Sequence, residues 1–205
     1  MRRRPAPIST TSLADTSQRP LDIIKSTTME QTAKSAQTNP PGLAETFRGH
    51  APDQQGGRWI ELWDANNTPW DRGQPHPGLE DLLVEKQDSI GQSWTVDPAA
   101  GKRRKRALVP GCGRGYDCLL LSAFGYDVYG LDISETGLKA AKAYEEAHKD
   151  DEVYQPRHEN GRGKVTWMLA DFFKDDFLEK IGGDRVFDLL YDYTVRLHCS
   201  WSNSY

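Results

Sequence analysis

The chain has 205 residues, 27% charged and 37% hydrophobic, with a formal net charge of −4 at pH 7. That length suits one domain with residues to spare. The negative balance speaks against wholesale nucleic-acid binding, which needs a positive face to neutralise phosphates. No apolar run approaches the roughly 20 residues of a membrane span, and the N-terminus lacks an apolar signal-peptide core. The three cysteines, Cys112, Cys118 and Cys199, match neither a zinc site nor a disulfide framework. A reducing, cytoplasmic setting is the simplest expectation.

Residues 1–45 are rich in Ser, Thr, Pro, Gln and Ala and offer little apolar surface to offset ordering entropy. They are expected to form a disordered leader. Arg2, Arg3, Arg4 and Arg19 among many hydroxyls also fit a mitochondrial transit peptide, although the apolar face is weak. Residues 46–101 are expected to form an N-terminal helical segment. Within it, Arg58 to Trp63 predicts a helix with Trp59 and Trp63 on one face, ended by Asn66-Asn67-Thr68-Pro69. Gly78 to Lys86 predicts a second helix carrying Leu79, Leu82 and Leu83. Residues 87–101 read as a loop. The basic run Lys102-Arg103-Arg104-Lys105-Arg106 reads as a solvated loop, with a nuclear localisation signal as the alternative.

From Arg106 strands and helices alternate. Strands are expected at Arg106–Pro110, Asp127–Leu131, Lys164–Leu169 and Val186–Tyr191. Helices are expected at Gly115–Phe124, Ser134–His148 (with Ser134 as N-cap) and, in part, Phe172–Ile181. Such alternation implies parallel strands joined by right-handed crossovers. The strands are nearly continuous apolar runs, as in a sheet covered on both faces. The fold class is therefore α/β, a doubly wound Rossmann-like sheet in residues 102–194, whose ligands bind at the carboxyl ends of the strands.

Those ends carry the chemistry. Gly111-Cys112-Gly113-Arg114-Gly115 is a glycine-rich turn between strand and helix. Its backbone can approach a ligand and offer N–H groups to an anion. The dinucleotide fingerprint G-x-G-x-x-G would need a third glycine where Tyr116 stands. That departure argues against a pyrophosphate ligand and hence against a nucleotide-binding oxidoreductase. Asp132 ends the second strand about 20 residues on, where an acid can accept from both ribose hydroxyls. A helix cap is the plainer alternative. Asp171-Phe172 and Asp192-Tyr193 end the third and fourth strands; the first pair suits an adenine amino group and ring, or a helix cap and a core aromatic. Trp59, Trp63 and Trp70 form either a docked amphipathic helix or a lid over a cation, since indole faces attract cations. The five histidines show no metal-ligand spacing.

Trp59-Ile-Glu-Leu-Trp63 through Trp70-Asp-Arg-Gly73, Ala107 to Asp117, Gly130-Leu-Asp-Ile-Ser134 and Phe187 to Tyr193 together resemble the thiopurine S-methyltransferase superfamily, nearest the halide and thiol methyltransferases. The resemblance covers roughly residues 55–194, and its ordered motifs are more specific than any one piece. It implies S-adenosyl-L-methionine as cofactor, held by Trp59, Trp63, Trp70, Gly111, Gly113, Asp132, Asp171, Phe172 and Tyr193. It implies a small soft acceptor (a thiol, hydrosulfide or a halide). No metal and no nucleic-acid or membrane partner are expected from the charge and spacing above, and a monomer is expected when the chain is complete. The resemblance assigns no catalytic base. The family pattern continues beyond the fourth strand, whereas residues 195–205 read as a divergent tail. A truncated, inactive methyltransferase-like product with an exposed edge strand is thus one expectation, and a short relative with its own tail the other.

Overall fold

The computed structural model describes residues 43–98, 101–158, 161–174, 176–181 and 187–193. The expected leader falls outside them except for residues 43–45, which open a short helix, α1 (Leu43–Phe47). The expected tail also lies outside. Helices α2 (Pro52–Asp64) and α3 (Pro77–Glu85) each carry a proline in the first turn, where its missing N–H costs nothing. Helix α2 starts six residues before the expected Arg58, because Gln54 and Gln55 extend it without any apolar signal.

The stretch 87–101 corrects the loop expectation. It holds α4 (Gln87–Ile90) and β1 (Trp94–Asp97), and β1 pairs antiparallel with β2 (Gly101–Arg104). The basic run is likewise largely a strand. Its charges hid it from sequence reading, yet the side chains of Lys102, Arg103, Arg104 and Lys105 find partners. Lys102 and Arg104 lie over the Trp94 ring at 5.0 and 4.7 Å. Arg103 makes a bidentate pair with Asp188 at 2.7 and 3.0 Å. Arg104 also donates to the carbonyls of Gly125 and Gly161, and Lys105 to that of Ile90.

The main sheet is parallel, in the order β5 (Val165–Leu169), β4 (Asp127–Asp132), β3 (Arg106–Pro110), β6 (Leu189–Leu190). The chain steps outward from β3 through β4 to β5, then returns to the other side of β3. This reversal makes the carboxyl end of β3 a topological switch point, where open α/β sheets bind ligands. Strand β6 is shorter than the expected Val186–Tyr191 and is outermost among the described residues; Leu190 is half-exposed.

Strand β3 is apolar from Ala107 to Pro110 because both faces are covered there. Ala107 and Val109 join Leu79, Leu83, Cys118, Leu119, Leu120, Leu121, Val128 and Tyr154 on one side. Leu108 joins Leu131 and Phe177 on the other. Helices α5 (Tyr116–Ala123), α6 (Glu135–His148) and α7 (Asp176–Lys180) complete the unit. The Ser134 hydroxyl accepts from Gly137 N–H at 3.0 Å and is fully buried, so it caps α6 as expected. Ser134→Ala should cost about 1 kcal/mol, measured as a lower urea midpoint with unchanged slope. A change below a few tenths would show that another acceptor takes over the cap.

Candidate functional site

The glycine turn follows β3. Gly111, Gly113 and Gly115 have φ of 58°, 53° and 77°, left-handed values that a side chain disfavours. The turn is fastened beneath by Cys112 N–H donating to the carbonyl of Leu131, which belongs to β4. Asp132, the last residue of β4, braces the turn from the side. Its carboxylate accepts from the backbone N–H of Gly113 and of Ser134, both at 2.9 Å. One acid thus joins the turn to the start of α6. Asp132 is only 6% exposed, and burial pushes its carboxyl above the ordinary value, while the N–H groups of Ser134, Gly113 and Ile133 pull it back. An ionised carboxylate has about four acceptor positions, so these bonds leave capacity for further donors.

Helix α2 crosses this corner. Gly56 permits the approach: a methyl group there would stand 2.7 Å from Ile133 Cδ1. Thr136 donates to Asp64, tying the end of α2 to the first turn of α6. The buried Trp63 ring then lies against the turn and the helix start together. A methyl at Gly113 would be 3.4 Å from Trp63 Cζ2, and one at Gly137 3.1 Å from its Cε2. Trp70 meets Trp63 edge-on at 6.0 Å and Trp59 at 5.0 Å, and Phe47 tilts against Trp59 at 4.6 Å. The tryptophan trio is one cluster, seated on the glycine turn through Trp63.

The segment after Trp70 is fixed to the same turn by polar contacts. Asp71 pairs with Arg114, and it accepts from the Tyr116 hydroxyl at 2.7 Å and from Gly73 N–H at 2.9 Å. Burial raises the Asp71 carboxyl, but its bonds to Tyr116, Gly73 and Arg114 outweigh that and leave it below the usual value. Burial and the Asp71 carboxylate push the Tyr116 hydroxyl up. Five residues on, His76 N–H donates to Asp117 at 2.7 Å. The His76 ring tilts against Tyr193 at 4.0 Å, and Arg72 lies 5.9 Å over the same ring.

The sequence-expected residues therefore divide. Gly111, Gly113, Asp132 and Trp63 form one corner, with Trp59 and Trp70 behind. Tyr193, at the carboxyl end of β6, meets the segment 72–76. Asp171 and Phe172 stand at the end of β5. There Asp171 accepts from Phe173 N–H at 3.0 Å and pairs with Lys174, while Phe172 packs toward Phe177 in the second core cluster. Their geometry is a capped turn and a core aromatic. Asp71 and Arg114 are not singled out by sequence reading, and Tyr116 enters it only as the residue replacing a third glycine. Their partners lie more than 40 residues apart, a separation no local pattern reveals. Among the described residues no cluster of His, Cys, Asp or Glu could hold a metal ion, and no helix is long and apolar enough to cross a membrane.

These elements define a Rossmann-like, doubly wound α/β domain with a glycine turn and a buried acid at adjacent strand ends. The family model for thiopurine S-methyltransferase matches residues 54–197, and the chain belongs to that family. Its relatives include "Probable thiol methyltransferase 2" of Arabidopsis thaliana, 29% identical over 81% of this chain and 59% of the relative. "Thiocyanate methyltransferase 1" of the same plant is 35% identical over 70% of this chain and 49% of the relative. The chain spans about half the length of the curated relatives it matches. Among solved structures, the magnesium protoporphyrin IX methyltransferase of Synechocystis PCC 6803 covers 73% of this chain and 64% of its own, at 16% identity and a TM-score of 0.44. That likeness is too slight to argue from.

Proposed function

We propose that this chain binds S-adenosyl-L-methionine at the corner formed by the glycine turn, Asp132 and Trp63, and that it serves methyl transfer to a small soft nucleophile. The observation that carries this reading is Asp132: a buried carboxylate at a strand end, bonded to the glycine turn, with acceptor capacity left for ribose hydroxyls. The open backbone of Gly111 and Gly113 suits the carboxylate of an amino-acid moiety, and Tyr116 in place of a third glycine disfavours a pyrophosphate. Indole faces at Trp63 and Trp70 suit a sulfonium cation. Asp171 and Phe172 would flank the adenine, and Tyr193 would close the rim at β6.

When bound, the cofactor supplies an electrophilic methyl group. The chain's own residues then have three tasks: to hold the ribose at Asp132, to orient the donor on the glycine turn, and to exclude water with the tryptophan cluster. For displacement by a soft anion, positioning and dehydration carry much of the rate, and no covalent intermediate on the protein is required. A thiol, hydrosulfide, thiocyanate or halide acceptor fits this chemistry, and the relatives' names favour a thiol or thiocyanate.

The test is calorimetry with S-adenosylhomocysteine and with NAD, followed by methyl-transfer assays with iodide, thiocyanate and hydrosulfide. Micromolar binding of S-adenosylhomocysteine without NAD binding is the expected result. Binding without turnover would restrict the chain to a cofactor-binding role, and NAD binding would overturn the reading. Addition of S-adenosylhomocysteine should also shift tryptophan emission and slow hydrogen exchange across residues 55–75. Protection confined to the glycine turn would make the tryptophan cluster ordinary core.

A further inference from the structure

Arg114 sits between two left-handed glycines, Gly113 and Gly115, and so belongs to the cofactor turn itself. Its guanidinium faces two ways: it pairs with Asp71, and it lies 5.7 Å over the Trp63 ring. Tyr116, the first residue of α5, reaches the other oxygen of the same carboxylate. Asp71 directly follows Trp70, whose ring abuts Trp63. The carboxylate is therefore the junction between the turn and the segment that carries the aromatic cluster. It is mostly buried, with its side chain 15% exposed, and Gly73 N–H holds it in place within its own loop. Both of its long-range partners come from the glycine turn and the helix it opens.

We propose that Asp71 is a positioning residue: through Arg114 and Tyr116 it latches the tryptophan lid to the glycine turn, so that lid closure and cofactor binding are coupled. This rests on the reading of the turn as the cofactor site. A coupling of this kind is reciprocal: what fixes the lid tightens the ligand, and the ligand steadies the lid. The contact supplies direction as well as attraction, since Arg114 Nε–H donates to one carboxylate oxygen while the Tyr116 hydroxyl donates to the other. Breaking it releases Arg114 from one side of its two-way contact and loosens Trp63 with it.

The test compares the parent chain with Asp71→Asn, Arg114→Gln and the double variant. Asp71→Asn keeps the size of the side chain and removes its charge. Calorimetry with S-adenosylhomocysteine should give a Kd raised about tenfold for each single variant. The double variant should be no weaker than the weaker single one, because both changes break the same link. The tryptophan emission change on ligand addition should shrink in all three, while far-UV circular dichroism and a cooperative melt show the fold intact. Kd values within twofold of the parent, or losses that multiply in the double variant, would overturn the latch. If the parent binds no S-adenosylhomocysteine, the cofactor reading fails separately. The latch is then judged without ligand, by hydrogen exchange of residues 66–73. Faster exchange in Asp71→Asn sustains it, and unchanged exchange overturns it.

Discussion

Gly115→Ala should destabilise the chain by about 2–5 kcal/mol, much of the roughly 5–15 kcal/mol that holds a typical domain together. Two separate costs combine at this position. Gly115 has φ of 77°, and an L side chain in that region costs about 1–2 kcal/mol. The added methyl would also stand 2.2 Å from Trp167 Cη2, inside the ring's own volume. Overpacking of this kind costs about 1–3 kcal/mol. Trp167 has little freedom to retreat. Its indole N–H donates to Glu145 at 2.7 Å, and its ring already rests on Gly130, where a methyl would be 2.6 Å away. Gly57 provides the contrast. It lies in α2 with no atom within 4 Å of an added methyl, so Gly57→Ala should stabilise by about 0.5–1 kcal/mol. Urea unfolding of both variants checks the pair. A Gly115→Ala midpoint equal to the parent's would mean that the turn is looser than its packing implies.

The glycine turn is legible in the sequence, and its surroundings are not. A strand, three glycines and a helix are local, and their spacing alone placed the turn at the end of β3. The acid ending β4 was legible for the same reason, as was the cap at Ser134. Asp132 braces the α6 start by accepting from Ser134 N–H and joins it to the turn by accepting from Gly113 N–H, as the plainer, structural reading of it held. What stayed hidden depends on distant pairing. In the β1–β2 pair only the four-residue β1 alternates (Trp94 and Val96 against Thr95 and Asp97), and β2 is a glycine and three cations, satisfied by Trp94 stacking and by Asp188 across the chain. The Asp71 junction needs partners from two segments that only the folded sheet brings together. The lengthening of α2 rests on Gly56 fitting against Ile133, a contact that composition marks only as a helix-weakening glycine.

Asp132→Asn should weaken S-adenosylhomocysteine binding by about 1–3 kcal/mol, a factor of roughly 5–150 in Kd, and should also cost stability. The amide is nearly the same size as the carboxylate, so packing is preserved and the change is one of hydrogen bonding. Each carboxylate oxygen accepts from one backbone N–H, Gly113 on one side and Ser134 on the other. An asparagine offers one oxygen and one NH2, so one of those donors would face another donor. The pH dependence separates this site from Asp71. The folded Asp132 carboxyl titrates above its unfolded value of 3.8, chiefly because burial disfavours the charge. Its contribution to stability is therefore fully present below 3.8 and is lost as pH rises through the raised folded value. Asp71 has the opposite sign: its carboxyl is held below 3.8, so its contribution is present above 3.8 and lost as pH falls through the lowered value. On the proposed reading the ionised Asp132 accepts from the ribose, so ligand affinity should fall as pH drops through the raised value, while Asp132→Asn should lack that step. The ligand's own titrations are common to both proteins and cancel in the comparison. Calorimetry of parent and variant across a pH series measures the difference directly. Equal affinities with parallel pH profiles would remove Asp132 from the cofactor site and leave it only the brace between the glycine turn and α6.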